Sequence, residues 1–316
     1  MNFKTYNDLS KCIVSNLNKI PPNIDLVVGI PRSGTMVANM LALYLNLPFT
    51  DVASLLRGGE LRAGYTKRAA GWIKKIEDAK TVLVVDDSVS SGKAIKEAKE
   101  QLKDCPYQLI WMAVYVLPFN KNMVDIWFEV CNQPRMFEWN FMHHWALENC
   151  CMDIDGVLCE DPKWFENDDG EKYKAFLKNT RPKLVPTKKV GVLVSCRLEK
   201  YREDTERWLK EYNILYDKLV LMNGITAKER ALIGGHANFK AEVYKKSGAI
   251  LFIESDNNQA IEICQITGKP VLCIENMQLI NSDNIGRQLI TKTVEIQKTG
   301  KQIVKKLIWM TRKNKE

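Results

Sequence analysis

Thr81-Val82-Leu83-Val84-Val85-Asp86-Asp87-Ser88-Val89-Ser90-Ser91-Gly92-Lys93-Ala94 reads as a strand that ends in two carboxylates and turns, through a loop rich in hydroxyls, straight into a helix. An unbroken apolar run without polar alternation is a strand covered on both faces, as in a parallel α/β sheet. Paired carboxylates accept hydrogen bonds from vicinal sugar hydroxyls, while Ser hydroxyls and backbone N–H groups at a helix start cradle a phosphate. A nucleotide-binding P-loop fails on spacing, because it needs Gly where Asp87 stands and Ser or Thr where Ala94 stands.

Outward from this stretch the same alternation continues. Strand signals at 25–30 and 108–117 and helix signals at 34–46 and 92–103 complete a β-α-β-α-β series. The pattern restarts near 148 with a strand ending in acids. Strand signals follow at 190–194, 218–222, 249–253 and 270–274, with helices at 203–212, 226–246 and 256–266. We therefore expect an α/β protein of two Rossmann-like parallel-sheet domains, 1–148 and 149–316. Ligands of such sheets bind beyond the carboxyl ends of the strands, so the chemistry should lie just after each apolar run.

After the strand at 25–30 comes Gly29-Ile30-Pro31-Arg32-Ser33-Gly34, where glycines permit close backbone approach and an Arg can grip an oxyanion. Together with the first motif, this turn resembles the type I phosphoribosyltransferases, which bind phosphoribosyl diphosphate (PRPP). The resemblance implies that Asp86 and Asp87 hold the ribose. It further implies that Ser88, Val89, Ser90, Ser91, Gly92 and Lys93 hold the 5-phosphate, and that Gly29, Pro31, Arg32, Ser33 and Gly34 hold the Mg²⁺-bound diphosphate. The family usually has Thr where Ala94 stands. The basic, Gly-containing segment 57–72, with Arg62, Lys67 and Arg68, would be the lid that shields the reacting sugar from water. The acceptor-side hood is expected in the aromatic stretch 134–145, with Glu138, Asn140 and His143 as candidates; the bland alternative is interdomain core.

The second acidic run, Asp153-Ile154-Asp155-Gly156-Val157-Leu158, could be a metal motif of a glycosyltransferase, but it resembles more closely the opening motif of haloacid dehalogenase-type phosphatases. That resemblance implies Asp153 as nucleophile and Asp155 as acid/base. It implies Ser195 and Lys240 as phosphate-binding groups, with Lys245 and Lys246 as rivals to Lys240, and Mg²⁺ held among Asp153, Asp155, Glu254 and Asp256. Glu254-Ser255-Asp256 departs from the usual acidic pair of that superfamily. The short polar insert 157–187 is read as a small cap.

Composition narrows the function classes. The net charge of +8 is concentrated in residues 292–316, which hold eight Lys/Arg and two Glu, so a nucleic-acid interface is not expected. This tail reads as an amphipathic basic helix, packed on the body or drawn to an anionic membrane surface. Nine cysteines without a C-x-x-C pair, and three histidines without ligand spacing, predict reduced thiols and no zinc. The first residues lack a secretory pattern, which predicts a cytoplasmic protein. A phosphatase beside a PRPP-using enzyme makes sense where the 5-phosphate is wanted for transfer and unwanted afterwards. The pairing resembles the glycan-associated phosphoribosyltransferase and phosphoribosyl phosphatase pairs of bacterial surface-polysaccharide synthesis, with a glycan acceptor that could be lipid-linked. The alternatives are a nucleobase-salvage enzyme and a PRPP-sensing regulator.

Overall fold

The computed structural model describes residues 1–63, 72–167, 170–223 and 235–286. The chain divides into two compact units, Met1–Trp139 and Asn140–Glu316. The division falls ahead of the change of pattern near 148, because the 3-10 turns Phe141–His143 and Trp145–Asn149 bond within the second unit. Thr187 N donates to Met142 O at 3.0 Å.

In the first unit, β1 (Asn2–Lys4) leads into α1 (Tyr6–Asn16), whose start is closed by a reciprocal capping box between Thr5 and Asp8. Then come β2 (Leu26–Gly29), α2 (Ser33–Leu45), β3 (Phe49–Asp51), the short α3 (Val52–Leu56), β4 (Thr81–Val89), α4 (Lys93–Gln101), β5 (Gln108–Val116), β6 (Ile126–Val130) and β7 (Arg135–Phe137). Five strands form an all-parallel sheet in the order β3-β2-β4-β5-β6, and β1 pairs with β7 as a separate parallel ribbon. The period of two along β4 feeds two cores. Val82 and Val84 join Leu26, Val52 and Ile95 on one face, while Leu83 and Val85 join Val27, Val37 and Leu41 on the other. Each such buried side chain contributes about 1.5–3 kcal/mol.

The second unit contains β8 (Cys150–Met152), α5 (Glu171–Asn179), β9 (Val190–Leu198), α6 (Arg202–Glu211), β10 (Tyr216–Met222), α7 (Gly235–Lys246), β11 (Leu251–Glu254), α8 (Asn257–Thr267), β12 (Val271–Cys273) and β13 (Gln278–Ile280). The sheet order is β10-β9-β8-β11-β12-β13, parallel except for the β12–β13 pair. Its central strands β8 and β11 are short and wholly buried. The beginning of the helix expected at 226–246, and the basic tail 292–316, lie outside the described residues.

Candidate functional site

At the first site β2 stops at Gly29, opposite Val85, while β4 runs on to Val89 paired only with β5. The strand is thus longer than its sequence pattern suggested. Ser88 and Val89, expected in the phosphate turn, stand in the ladder opposite Tyr115 and Val116, and Val89 is core. The turn itself contracts to Ser90-Ser91-Gly92, with Gly92 in the left-handed region at φ 76°. Ser91 Oγ accepts from Lys93 N at 3.3 Å, and Asn120 anchors the carbonyl of Ser90.

The edge that β2 leaves open is filled by the turn 29–34. A Cβ on Gly34 would stand 2.6 Å from Val85 O and 3.1 Å from Asp86 Cα, so only glycine lets the turn lie against β4. Gly29 is equally confined, its Cβ position falling 2.4 Å from Thr35 Cα. Pro31 and Arg32 are exposed at the tip, their shared peptide bond being cis. Arg62 is also exposed, and its backbone pairs with Phe49. Lys67 and Arg68 lie outside the described residues.

Asp86 and Asp87 sit at the junction, both buried. Asp87 N donates to Asp86 Oδ1 at 2.9 Å; Ser33 Oγ donates to Asp87 Oδ1 at 2.8 Å, and Trp139 Nε1 to Asp87 Oδ2 at 2.6 Å. Among the described residues no cation pairs with either acid within salt-bridge distance. Burial, and then repulsion from Asp87, pushes the Asp86 carboxyl up to about 9. Arg135, itself buried, braces the end of β4 by donating to Val89 O at 3.1 Å and to Ser88 Oγ at 3.4 Å. Two acids without counter-cations among the described residues, beside the amino termini of α2 and α4, can accept sugar hydroxyls while the helix starts take anionic groups.

The hood candidates separate. Glu138 accepts from Tyr6 N at 2.8 Å and so ties the β1–β7 ribbon to α1. Asn140 and His143 fall in the second unit, where His143 Nδ1 lies 3.0 Å from Thr187 Oγ1. Trp139, which sequence reasoning did not single out, is the aromatic that reaches the acidic pair.

At the second site Asp153 follows β8, and its Oδ2 accepts from Lys240 Nζ at 2.6 Å. Lys240, on α7, also donates to Glu254 Oε2 at 2.8 Å and Gln259 Oε1 at 2.9 Å. Burial opposes its charge, but Asp153 and Glu254 outweigh that and raise its pKa. Of its rivals, Lys245 pairs with Glu242 and Lys246 is exposed. Asp155 is gripped by Arg197, through Nη2 at 2.6 Å and Nε at 3.1 and 3.2 Å. Arg197 was not anticipated. Its signal was a charge inside the apolar run of β9, two residues past Ser195 and so on the same face. Ser195, expected to hold phosphate, is fully buried and directs its hydroxyl to Asp155 at 3.4 Å. Asp153, Asp155, Cys196, Arg197, His236, Lys240 and Asp256 line a cavity of about 280 Å³.

The expected gathering of Asp153, Asp155, Glu254 and Asp256 about Mg²⁺ is not what these side chains do. Asp155 faces Arg197, Glu254 faces Lys240 and the N–H groups of Ser255 and Asp256, and Asp256 caps α8 through Gln259 N at 2.7 Å. Among the described residues no three acidic, His or Cys side chains are grouped to hold a metal.

Residues 3–142 match the family model "phosphoribosyl transferase domain", and this part of the chain is a type I phosphoribosyltransferase domain. Curated relatives include the transcriptional regulator GfcR of Methanococcoides burtonii, 29% identical over 118 residues, which are 37% of this chain and 56% of the relative. Another is the orotate phosphoribosyltransferase of Fusobacterium nucleatum, 25% identical over 131 residues, 42% of this chain and 58% of the relative. The chain thus spans little more than half the length of the curated relatives it matches. A purine phosphoribosyltransferase structure from Pyrococcus horikoshii Ot3 aligns at 18% identity over 43% of this chain and 92% of that chain, with a TM-score of 0.33.

Proposed function

We propose that the phosphoribosyltransferase domain of residues 3–142 transfers 5-phosphoribose from PRPP to an acceptor sugar, and that the second unit then removes the 5-phosphate. The observation that carries the first step is the placement of Asp86 and Asp87, without cation partners among the described residues, against the glycine-packed turn 29–34. That arrangement suits a neutral diol flanked by anions. PRPP arrives as its Mg²⁺ complex, and the metal offsets part of the charge on the leaving diphosphate. Asp87 accepts from the ribose hydroxyls, the N–H groups at Ser91–Lys93 take the 5-phosphate, and Arg32 faces the diphosphate. The bond from C1 to the diphosphate oxygen breaks as the acceptor hydroxyl oxygen bonds to C1, the hydroxyl's proton leaves with the released diphosphate, and electrostatic holding supplies most of the effect.

In the second unit Asp153 attacks phosphorus, forming an aspartyl phosphate while the bond to the 5-oxygen breaks. Asp155, oriented by Arg197, gives the leaving oxygen its proton and later takes one from water, which releases inorganic phosphate. Lys240 balances the charge on Asp153. The parallel strand order around β8 and the 280 Å³ cavity support this reading. A glycan acceptor follows from the pairing of the two activities, since removing the 5-phosphate would undo nucleotide synthesis. A lipid-linked glycan would give the basic residues of 292–316 an anionic surface to meet. No helix among the described residues is long and apolar enough to cross a membrane.

The likeness to GfcR favours a second reading, in which PRPP is bound as a signal and transcription is the output. Incubation with PRPP, Mg²⁺ and candidate acceptors, following pyrophosphate and phosphate separately, divides the two. Pyrophosphate release that needs a glycan and survives Asp153→Asn, with phosphate release lost, supports the coupled reaction. Release driven by a free nucleobase means salvage, and PRPP binding without turnover means a sensor.

A further inference from the structure

Asp87 has no free oxygen. Ser33 holds Oδ1 at 2.8 Å from the diphosphate-side turn, and Trp139 holds Oδ2 at 2.6 Å from the end of the β1–β7 ribbon. Burial beside Asp87 raises the Asp86 carboxyl, and Asp87 is the acid whose two oxygens meet the turn 29–34 and the ribbon. A carboxylate oxygen can accept more than one hydrogen bond, but here the ribose hydroxyls would have to approach where the indole and the Ser33 hydroxyl already lie.

The indole is well placed to yield. It is only half-buried, stacks on Phe137 with ring centroids 4.9 Å apart, and lies 5.7 Å from the ring of Tyr6. Those stacking contacts can survive when the N–H releases Asp87, so the ring retains a place in the hood. Ser33, by contrast, belongs to the turn that Gly34 seats on β4, where little movement is open to it.

We infer that Trp139 is a positioning residue that competes with the sugar for Asp87: the ligand-free site is latched by the indole N–H, and a vicinal-diol sugar phosphate opens it. This inference rests on the PRPP reading of the first site.

Trp139→Phe keeps a ring to stack on Phe137 and removes the donor. Isothermal titration of the full chain with PRPP and Mg²⁺ should show about five- to tenfold tighter binding in this variant, since one charge-assisted hydrogen bond no longer has to be exchanged. A purely structural role would weaken binding instead. Unchanged or weaker affinity overturns the latch while leaving the PRPP site intact; no PRPP binding by either protein overturns the PRPP reading and the latch together. A second measurement does not depend on how the variant folds. In 5-fluorotryptophan-labelled wild-type protein, the fluorine resonance of Trp139 should shift with saturating ribose 5-phosphate and stay in place with pyrophosphate, which carries no vicinal diol to displace the indole from Asp87. A Trp139 resonance unmoved by bound ribose 5-phosphate overturns the latch.

Discussion

Two acidic pairs stand at the tips of two parallel sheets, and their surroundings differ in kind. Asp86 and Asp87 are held by a backbone N–H, a serine hydroxyl and an indole, all neutral donors. Asp153 and Asp155 are each held by a buried cation, Lys240 and Arg197. A neutral hydrogen bond can be exchanged for one from a sugar hydroxyl at little net cost, whereas a buried ion pair resists exchange because each partner would be left uncompensated. The first pair is therefore built to trade partners with a polyol. The second is held in a fixed geometry by its two buried cations.

The sharpest way to break this contrast is Lys240→Met. It leaves Asp153 and Glu254 buried without their shared cation, and should cost about 3–5 kcal/mol in urea unfolding of the second unit. A loss under about 1 kcal/mol would mean that the cluster is not charge-balanced as described. Next in size, Asp87→Asn should lower acceptor-dependent pyrophosphate release about 100-fold, on the scale of losing one preorganised electrostatic contact, while phosphate release from a phosphoribosyl product is unchanged. Equal loss of both activities would erase the distinction between the sites. Gly34→Ala places a methyl against backbone at Val85, and about 1–3 kcal/mol of strain is expected together with weaker PRPP binding.

A further contrast is one of pH. The Asp86 carboxyl is raised from 3.8 to about 9, by burial first and then by Asp87. A carboxyl raised in the folded state stabilises fully below its unfolded pKa, and that contribution is lost as pH climbs from about 4 to about 9. Melting temperatures of wild type and Asp86→Asn should therefore diverge in favour of the variant as pH rises through that window. Parallel melting curves from pH 5 to 9 would show that the environment of Asp86 does not hold its proton.

Much of this was legible in the chain itself, because apolar runs and the acids and glycines that end them are local signals. The strands read at 81–86, 108–117 and 190–194 and the restart near 148 follow from apolar runs, and the acidic pairs from the residues that end them. The β1–β7 ribbon was missed, since three-residue strands carry no period to read. Strand ends were also misjudged. Val89 continues β4 because β5 offers a ladder partner, and nothing local announces a neighbour's length.

The sequence alone determined which residues are chemically capable, and in what order they leave the two sheets, because an apolar run followed by acids has few other ways to fold. Only the tertiary structure decided which partners they meet. Trp139 and Arg197 lie 52 and 42 residues from the acids they hold, so their contacts come from packing between distant segments. Whether a carboxylate faces an indole or a guanidinium decides what it can bind, and that choice is made where strands, ribbons and helices converge.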